Sequence, residues 1–154
     1  MKIPRIYLDT SVIGGCHDIE FSTWSNGLMK DIRLKNYQPV LSQLTFDEIS
    51  KAPKPVQDTM TVLLEYKPEI LEITEEAFEL SEQYLKRDIL TSKFRDDAMH
   101  IALASLANVD ILVSWNFRHI VHYDKIRLFN AVNIENGIKS IDIYSPREVT
   151  NYEE

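Results

Sequence analysis

A three-layer α/β/α sandwich with a mostly parallel central sheet of four or five strands is the fold class the sequence predicts, from three observations. Short apolar runs alternate with longer stretches of helical spacing, as in strand and helix succession. The runs at residues 3–8 and 110–114 read as strands buried on both faces. Residues 98–107 are apolar nearly all round when wound at 100° per residue, which marks a helix buried on most sides. A length of 154 residues fits a single domain spanning 1–154, long enough to bury a core without disulfides or a structural metal.

The elements follow in order. Residues 3–8 form a first strand ending at Asp9, with Thr10 and Ser11 beginning a capped turn. Trp24, Leu28, Ile32 and Leu34 predict a helix over 22–36, with Ser22 as N-cap. Residues 38–42 make a second strand that tolerates Pro39 near its start, and a helix follows over 42–51 until Pro53 and Pro55 stop it. Val56, Met60, Leu63 and Leu64 predict a helix over 55–66, Pro68 ends it, and 70–73 is a brief strand. Thr74 caps an acid-first helix to Asp88; a long buried helix covers 92–107; 110–114 is a strand; 123–137 is a helix with Gly137 as C-cap; and 141–143 is the last strand. Gly14-Gly15 signals a turn, and no repeat, linker or low-complexity tract interrupts the series.

Composition narrows the function classes. With 44% apolar and 27% charged residues, four Gly and six Pro, the chain is neither disordered nor collagen-like. One cysteine, Cys16, excludes an internal disulfide framework, and an intracellular, reducing, cytoplasmic setting is the expectation. Pro4, Arg5 and Asp9 break any signal-peptide core, and the apolar stretch 98–113 is too short and too polar to span a membrane. Net charge is −7, which argues against a wholly basic nucleic-acid coat. The charge is uneven: residues 65–88 hold eight acids against Lys67, Lys86 and Arg87, so solvent or a partner is expected there. Residues 115–130 carry Arg118, Lys125 and Arg127 against Asp124, with His119 and His122 nearby, and a polyanion would prefer that segment.

In open parallel sheets, ligands bind beyond the carboxyl ends of the strands. Asp9 closes the first strand, Glu48 lies on the helix after the second, Asp97 begins the central helix, and Asn116 follows the strand at 110–114. Carboxylates gathered at one rim repel one another unless protons or a hard cation neutralise them. Each has a plain alternative: Asp9 as a helix cap, Glu48 as a solvated residue or partner of Lys51, Asp97 as an ion-pair partner of Arg95, Asn116 as a turn residue. Asp96 competes with Asp97, which is preferred because it shares a face with Ile101 and Ala104.

Taken together, Tyr7-Leu8-Asp9-Thr10-Ser11-Val12-Ile13, Leu44-Thr45-Phe46-Asp47-Glu48-Ile49, Asp97-Ala98-Met99-His100-Ile101-Ala102-Leu103-Ala104 and Ile111-Leu112-Val113-Ser114-Trp115-Asn116 resemble the PIN domain, over residues 2–145. The resemblance implies a nuclease that depends on Mg²⁺ or Mn²⁺, of the VapC toxin type that cleaves RNA, dimerises and pairs with a small antitoxin. It maps Asp9, Glu48 and Asp97 onto the family's three core acids, as catalytic and metal-binding residues. Asn116 takes the position of a usual fourth acid, which removes a charge from any second metal site. On this reading Asp9 and Asp97 hold the cation, Glu48 orients or deprotonates the attacking water, and Asn116 holds a metal-bound water or the phosphate. Thr10 and Ser11 support the carboxylates or the phosphate, while Arg118 and His119 grip the flanking backbone. Asn116 also motivates the alternative of a weak or silent module that binds RNA or a partner protein without cutting it.

Other chemistries fit less well. Structural zinc wants four Cys or His ligands, beyond what Cys16, His17, His119 and His122 supply in tight pairs. A phosphatase with Asp9 as nucleophile would look for an acid two residues on, where Ser11 stands. Cys16 lacks an assured base, and His100, three residues after Asp97, either touches that carboxylate or is a satisfied core histidine.

Overall fold

The computed structural model describes residues 2–151. Its order is β1 (Arg5–Leu8), α1 (Thr10–Gly15), α2 (Ser22–Arg33), β2 (Gln38–Ser42), α3 (Gln43–Ile49), α4 (Lys54–Leu64), β3 (Glu69–Leu71), α5 (Glu75–Lys86), α6 (Arg95–Leu106), β4 (Ile111–Val113), α7 (Tyr123–Glu135), β5 (Asp142–Tyr144) and α8 (Pro146–Val149). The five strands form one sheet in the order β3-β2-β1-β4-β5, and every pairing is parallel. Tyr7 stands between Val40 and Leu112, so β1 is the middle strand.

Alternation along β1 divides the core into two layers, because successive side chains leave a strand on opposite faces. Ile6 and Leu8 pack with Val12, Ile13, Leu28, Ile32, Met60 and Leu63 of α1, α2 and α4. Tyr7 packs on the other face with Leu80, Tyr84, Ile101, Phe129 and Val132 of α5, α6 and α7. The α/β sandwich is thus the observed architecture.

Local chemistry explains the helix starts. Asp9 accepts from the Val12 amide at the head of α1, Ser42 accepts from Thr45 at the head of α3, and Thr74 accepts from Ala77 at the head of α5. Several expected details are corrected. Gly14 and Gly15 lie inside α1 rather than in a turn; a Cβ on Gly15 would meet Ser25 Oγ at 2.6 Å and Trp115 Nε1 at 2.6 Å, so close packing demands glycine there. Ser22 is the first residue of α2, not its cap; the cap position is Phe21, which makes no side-chain hydrogen bond. Residues 92–94 form a 3₁₀ turn ahead of α6, Asn136 is the C-cap of α7, and Gly137 follows it with φ +73°. The third strand is 69–71 instead of 70–73, and α8 is an added element, with Ser145 and Glu148 forming its capping box.

Arg5 bonds Glu69 through Nε at 3.0 Å and the Ala107 carbonyl through Nη1 at 2.8 Å, tying β1 to β3 and to the end of α6 at the rim opposite the acids. Glu82, another acid of the 65–88 stretch, pairs with Arg95, so that stretch is partly neutralised within the chain. Among the described residues, no helix is long and apolar enough to cross a membrane.

Candidate active site

Asp9 follows β1 directly and is 4% exposed. Its Oδ1 accepts from Ser11 Oγ at 2.6 Å and from the Val12 amide at 3.3 Å, while its Oδ2 accepts from Ser114 Oγ at 2.5 Å. Asp9 is therefore the N-cap of α1, with its second oxygen held from the end of β4. Burial raises its pKa, and the His100 charge and the two serine hydroxyls oppose the rise.

Glu48 is half-buried on α3. Its Oε1 accepts from Thr10 Oγ1 at 3.0 Å and lies 2.5 Å from His100 Nε2. Burial acts against its ionised form, but the bonds from His100 and Thr10 outweigh it and hold the carboxyl below its ordinary value; Lys51 adds only a weaker, longer-range attraction.

Asp97 lies in the first turn of α6, where the helix dipole favours an anion. Its Oδ2 accepts from Asn116 Nδ2 at 3.2 Å. Burial first, then the charges of Asp9 and Glu48, push it up to about 6, against the opposing effects of His100 and the Asn116 amide. Asp9, Glu48 and Asp97 thus share one electrostatic neighbourhood. Arg95, the alternative ion-pair partner for Asp97, instead meets Glu82, and Asp96 is exposed.

Asn116 takes the turn role, its Oδ1 accepting from the Arg118 and His119 amides at 3.2 and 2.9 Å, and its side-chain amide donates to Asp97. Thr10 and Ser11 each donate to a pocket carboxylate. Arg118 is exposed; His119 is buried, and its ring lies on Phe94 with centroids 3.7 Å apart. Burial, with help from Lys125 and Arg118, lowers the His119 pKa.

Sequence reasoning undervalued two groups. His100 is 2% exposed and meets Glu48 directly, with Asp97 felt only through its charge. Ser114, which grips Asp9, was legible only as a strand residue. Burial pushes the Cys16 thiol up to about 11, which leaves it a poor nucleophile.

The donor set suits a hard cation: the carboxylates offer oxygen, and the charge crowding that raises Asp97 is what a divalent ion relieves. The acids do not form a ready cage, since among the described residues no group of three His, Cys, Asp or Glu is arranged to hold a metal. A cation that keeps most of its own waters is the kind that fits such a pocket.

No protein-family model and no curated protein matches the sequence. The fold, however, is similar to solved structures. A chain of VapBC2 from Rickettsia felis, bound to a promoter DNA fragment, aligns with TM-score 0.57 and 16% identity over 92% of this chain and 98% of that one. A chain of FitAcB from Neisseria gonorrhoeae aligns with TM-score 0.58 and 15% identity, covering 94% and 99%. A toxin-antitoxin complex from Klebsiella pneumoniae gives 0.55 and 19%, covering 74% and 88%. At this identity the likeness is one of fold.

Proposed function

We propose that the chain is an endoribonuclease dependent on Mg²⁺ or Mn²⁺, the toxin of a toxin-antitoxin pair. The observation that carries the reading is the convergence of three distant stretches: Thr10, next to Asp9, donates to Glu48, Ser114 Oγ donates to Asp9 and accepts from the Asn116 backbone amide, and Asn116 Nδ2 donates to Asp97, so that the charges of Asp9 and Glu48 reach Asp97. The Klebsiella pneumoniae neighbour, a toxin-antitoxin complex, supports the toxin reading and an antitoxin partner. A homodimer and an RNA substrate belong to the same proposal.

Asp9 and Asp97 would hold the cation, with Glu48 contributing through water. When bound, such an ion supplies Lewis-acid chemistry, polarising a phosphate and acidifying water. Ser11 and Ser114 keep both Asp9 oxygens oriented through their hydroxyls. Glu48, ionised and half-buried, accepts the proton of the attacking water at its carboxylate. Asn116 orients Asp97 by its amide, and exposed Arg118 offers a phosphate contact beside it.

The test incubates labelled RNA with Mg²⁺ or Mn²⁺ and wild type, Asp9→Asn or Asp97→Asn. Cleavage by wild type alone is expected, and equal cleavage by all three refutes the mechanism. RNA binding with no cleavage by any of them, even in excess Mn²⁺, would favour the silent module that Asn116 suggested.

A further inference from the structure

Glu48 is a long side chain with three rotatable bonds, and holding its carboxylate in one place costs conformational entropy. The surroundings meet that cost with an unusual arrangement. Glu48 Oε1 lies 2.5 Å from His100 Nε2. His100 Nδ1 lies 2.6 Å from the Tyr7 hydroxyl, with the two rings edge-on at 5.7 Å. The Tyr7 hydroxyl lies 2.8 Å from Ser42 Oγ. Ser42 is the N-cap of α3, the helix that carries Glu48. The polar chain therefore leaves α3 at its head, passes through β1 and α6, and returns to α3 at Glu48.

Every inner link is out of water: Tyr7 and Ser42 are fully buried and His100 is 2% exposed. The chain can be satisfied in either state of the imidazole. With His100 neutral, Nε2–H donates to Glu48, Tyr7 donates to Nδ1, and Ser42 donates to Tyr7. With His100 protonated, Nδ1–H donates to the Tyr7 oxygen and Tyr7 donates to Ser42. The tether therefore does not depend on when His100 titrates. It occupies one oxygen of Glu48, which Thr10 also engages, and no hydrogen bond to Oε2 is made among the described residues. The second oxygen is left for water or a cation.

We infer that Tyr7 and His100 are positioning residues that fix the Glu48 carboxylate by one oxygen and present the other to the reaction, a role that rests on the nuclease reading. A network with only a structural duty would alter stability without altering turnover or metal affinity.

The test compares wild type with Tyr7→Phe, His100→Leu and His100→Gln, each checked for native near-ultraviolet circular dichroism. Tyr7→Phe removes only a hydroxyl, and His100→Gln keeps an N–H donor near Glu48, so both guard against simple misfolding. Two quantities are read: kcat and KM for a short RNA, and the Kd for Mn²⁺ alone by titration calorimetry. Tyr7→Phe and His100→Leu are expected to lower kcat by about tenfold or more with KM within about twofold, and to weaken Mn²⁺ by several-fold; His100→Gln should recover part of both losses. If wild type cleaves, Asp9→Asn does not, and folded Tyr7→Phe and His100→Leu match wild type, the tether is overturned and the nuclease reading stands. If no protein cleaves, the nuclease reading falls and the presentation of Glu48 to the reaction falls with it; if wild type cleaves and the variants lose turnover but bind Mn²⁺ as wild type does, the loss lies in the placing of Glu48 alone, which upholds the proposal.

Discussion

Asp97 carries a charge that its surroundings resist, because burial and two neighbouring carboxylates raise its pKa to about 6. The sign follows from linkage: a carboxyl raised from 3.8 destabilises the fold above pH 6, and acidification through 6 towards 3.8 relieves the penalty. Asp97→Asn removes the charge and still offers an oxygen to the Asn116 amide. Without metal it should therefore be more stable than wild type at pH 7.5 by about 1 kcal/mol, after allowance for partial exposure, with the gain gone near pH 4. Urea unfolding at the two pH values checks this, and a variant less stable than wild type at pH 7.5 contradicts it. A second residue-scale contrast lies in α1. Gly15→Ala should cost about 1–3 kcal/mol by forcing Ser25 and Trp115 apart, whereas Gly14→Ala, with open space around its Cβ, should be neutral or stabilising in the same assay.

Helices α5, α6 and α7 are joined by a buried polar link: Tyr84 donates to Asn133 Oδ1 at 2.5 Å, and Asn133 Nδ2 donates to Ser105 Oγ at 2.9 Å. Asn133→Ala leaves two buried hydroxyls short of a partner and should cost about 2 kcal/mol, seen as a lower urea midpoint. A midpoint equal to wild type would mean that the hydroxyls re-pair without loss. The elements most legible from the residues were those with a local cause. The apolar runs ending at Asp9 and Ser114 announced central strands, and Thr74 with its following acids announced α5. Helix α1 was not legible as a helix, because two of its six residues are glycines and its stability comes from Asp9 and from packing on Trp115. Helix α8 had a readable signal in Ser145-Pro146-Arg147-Glu148, a capping box at the head of an element of only four residues. The pocket acids were legible from their positions at strand and helix ends. The link between His100 and Glu48 was not, because those residues are 52 apart in sequence and only the fold brings them together.

For the molecule as a whole, the core is two apolar layers on opposite faces of one parallel sheet, of a size that supports a fold by burial alone. Chelation with EDTA should therefore leave the far-ultraviolet spectrum unchanged, while saturating Mn²⁺ should raise the wild-type Tm by several degrees through mass action. Asp97→Asn should lose most of that rise; an equal rise in both would place the ion elsewhere. The strand order also bears on how the protein is made. Its first strand becomes the middle of the sheet, flanked by β2 and by the late strand β4. A nascent chain leaving the ribosome can pair β1 with β2 early, yet one edge of β1 stays bare and the hydroxyl that grips Asp9 from Ser114 has not been synthesised. The three acids acquire their common setting only once β4 and Ser114 have emerged, so a fragment released before them would lack the assembled centre.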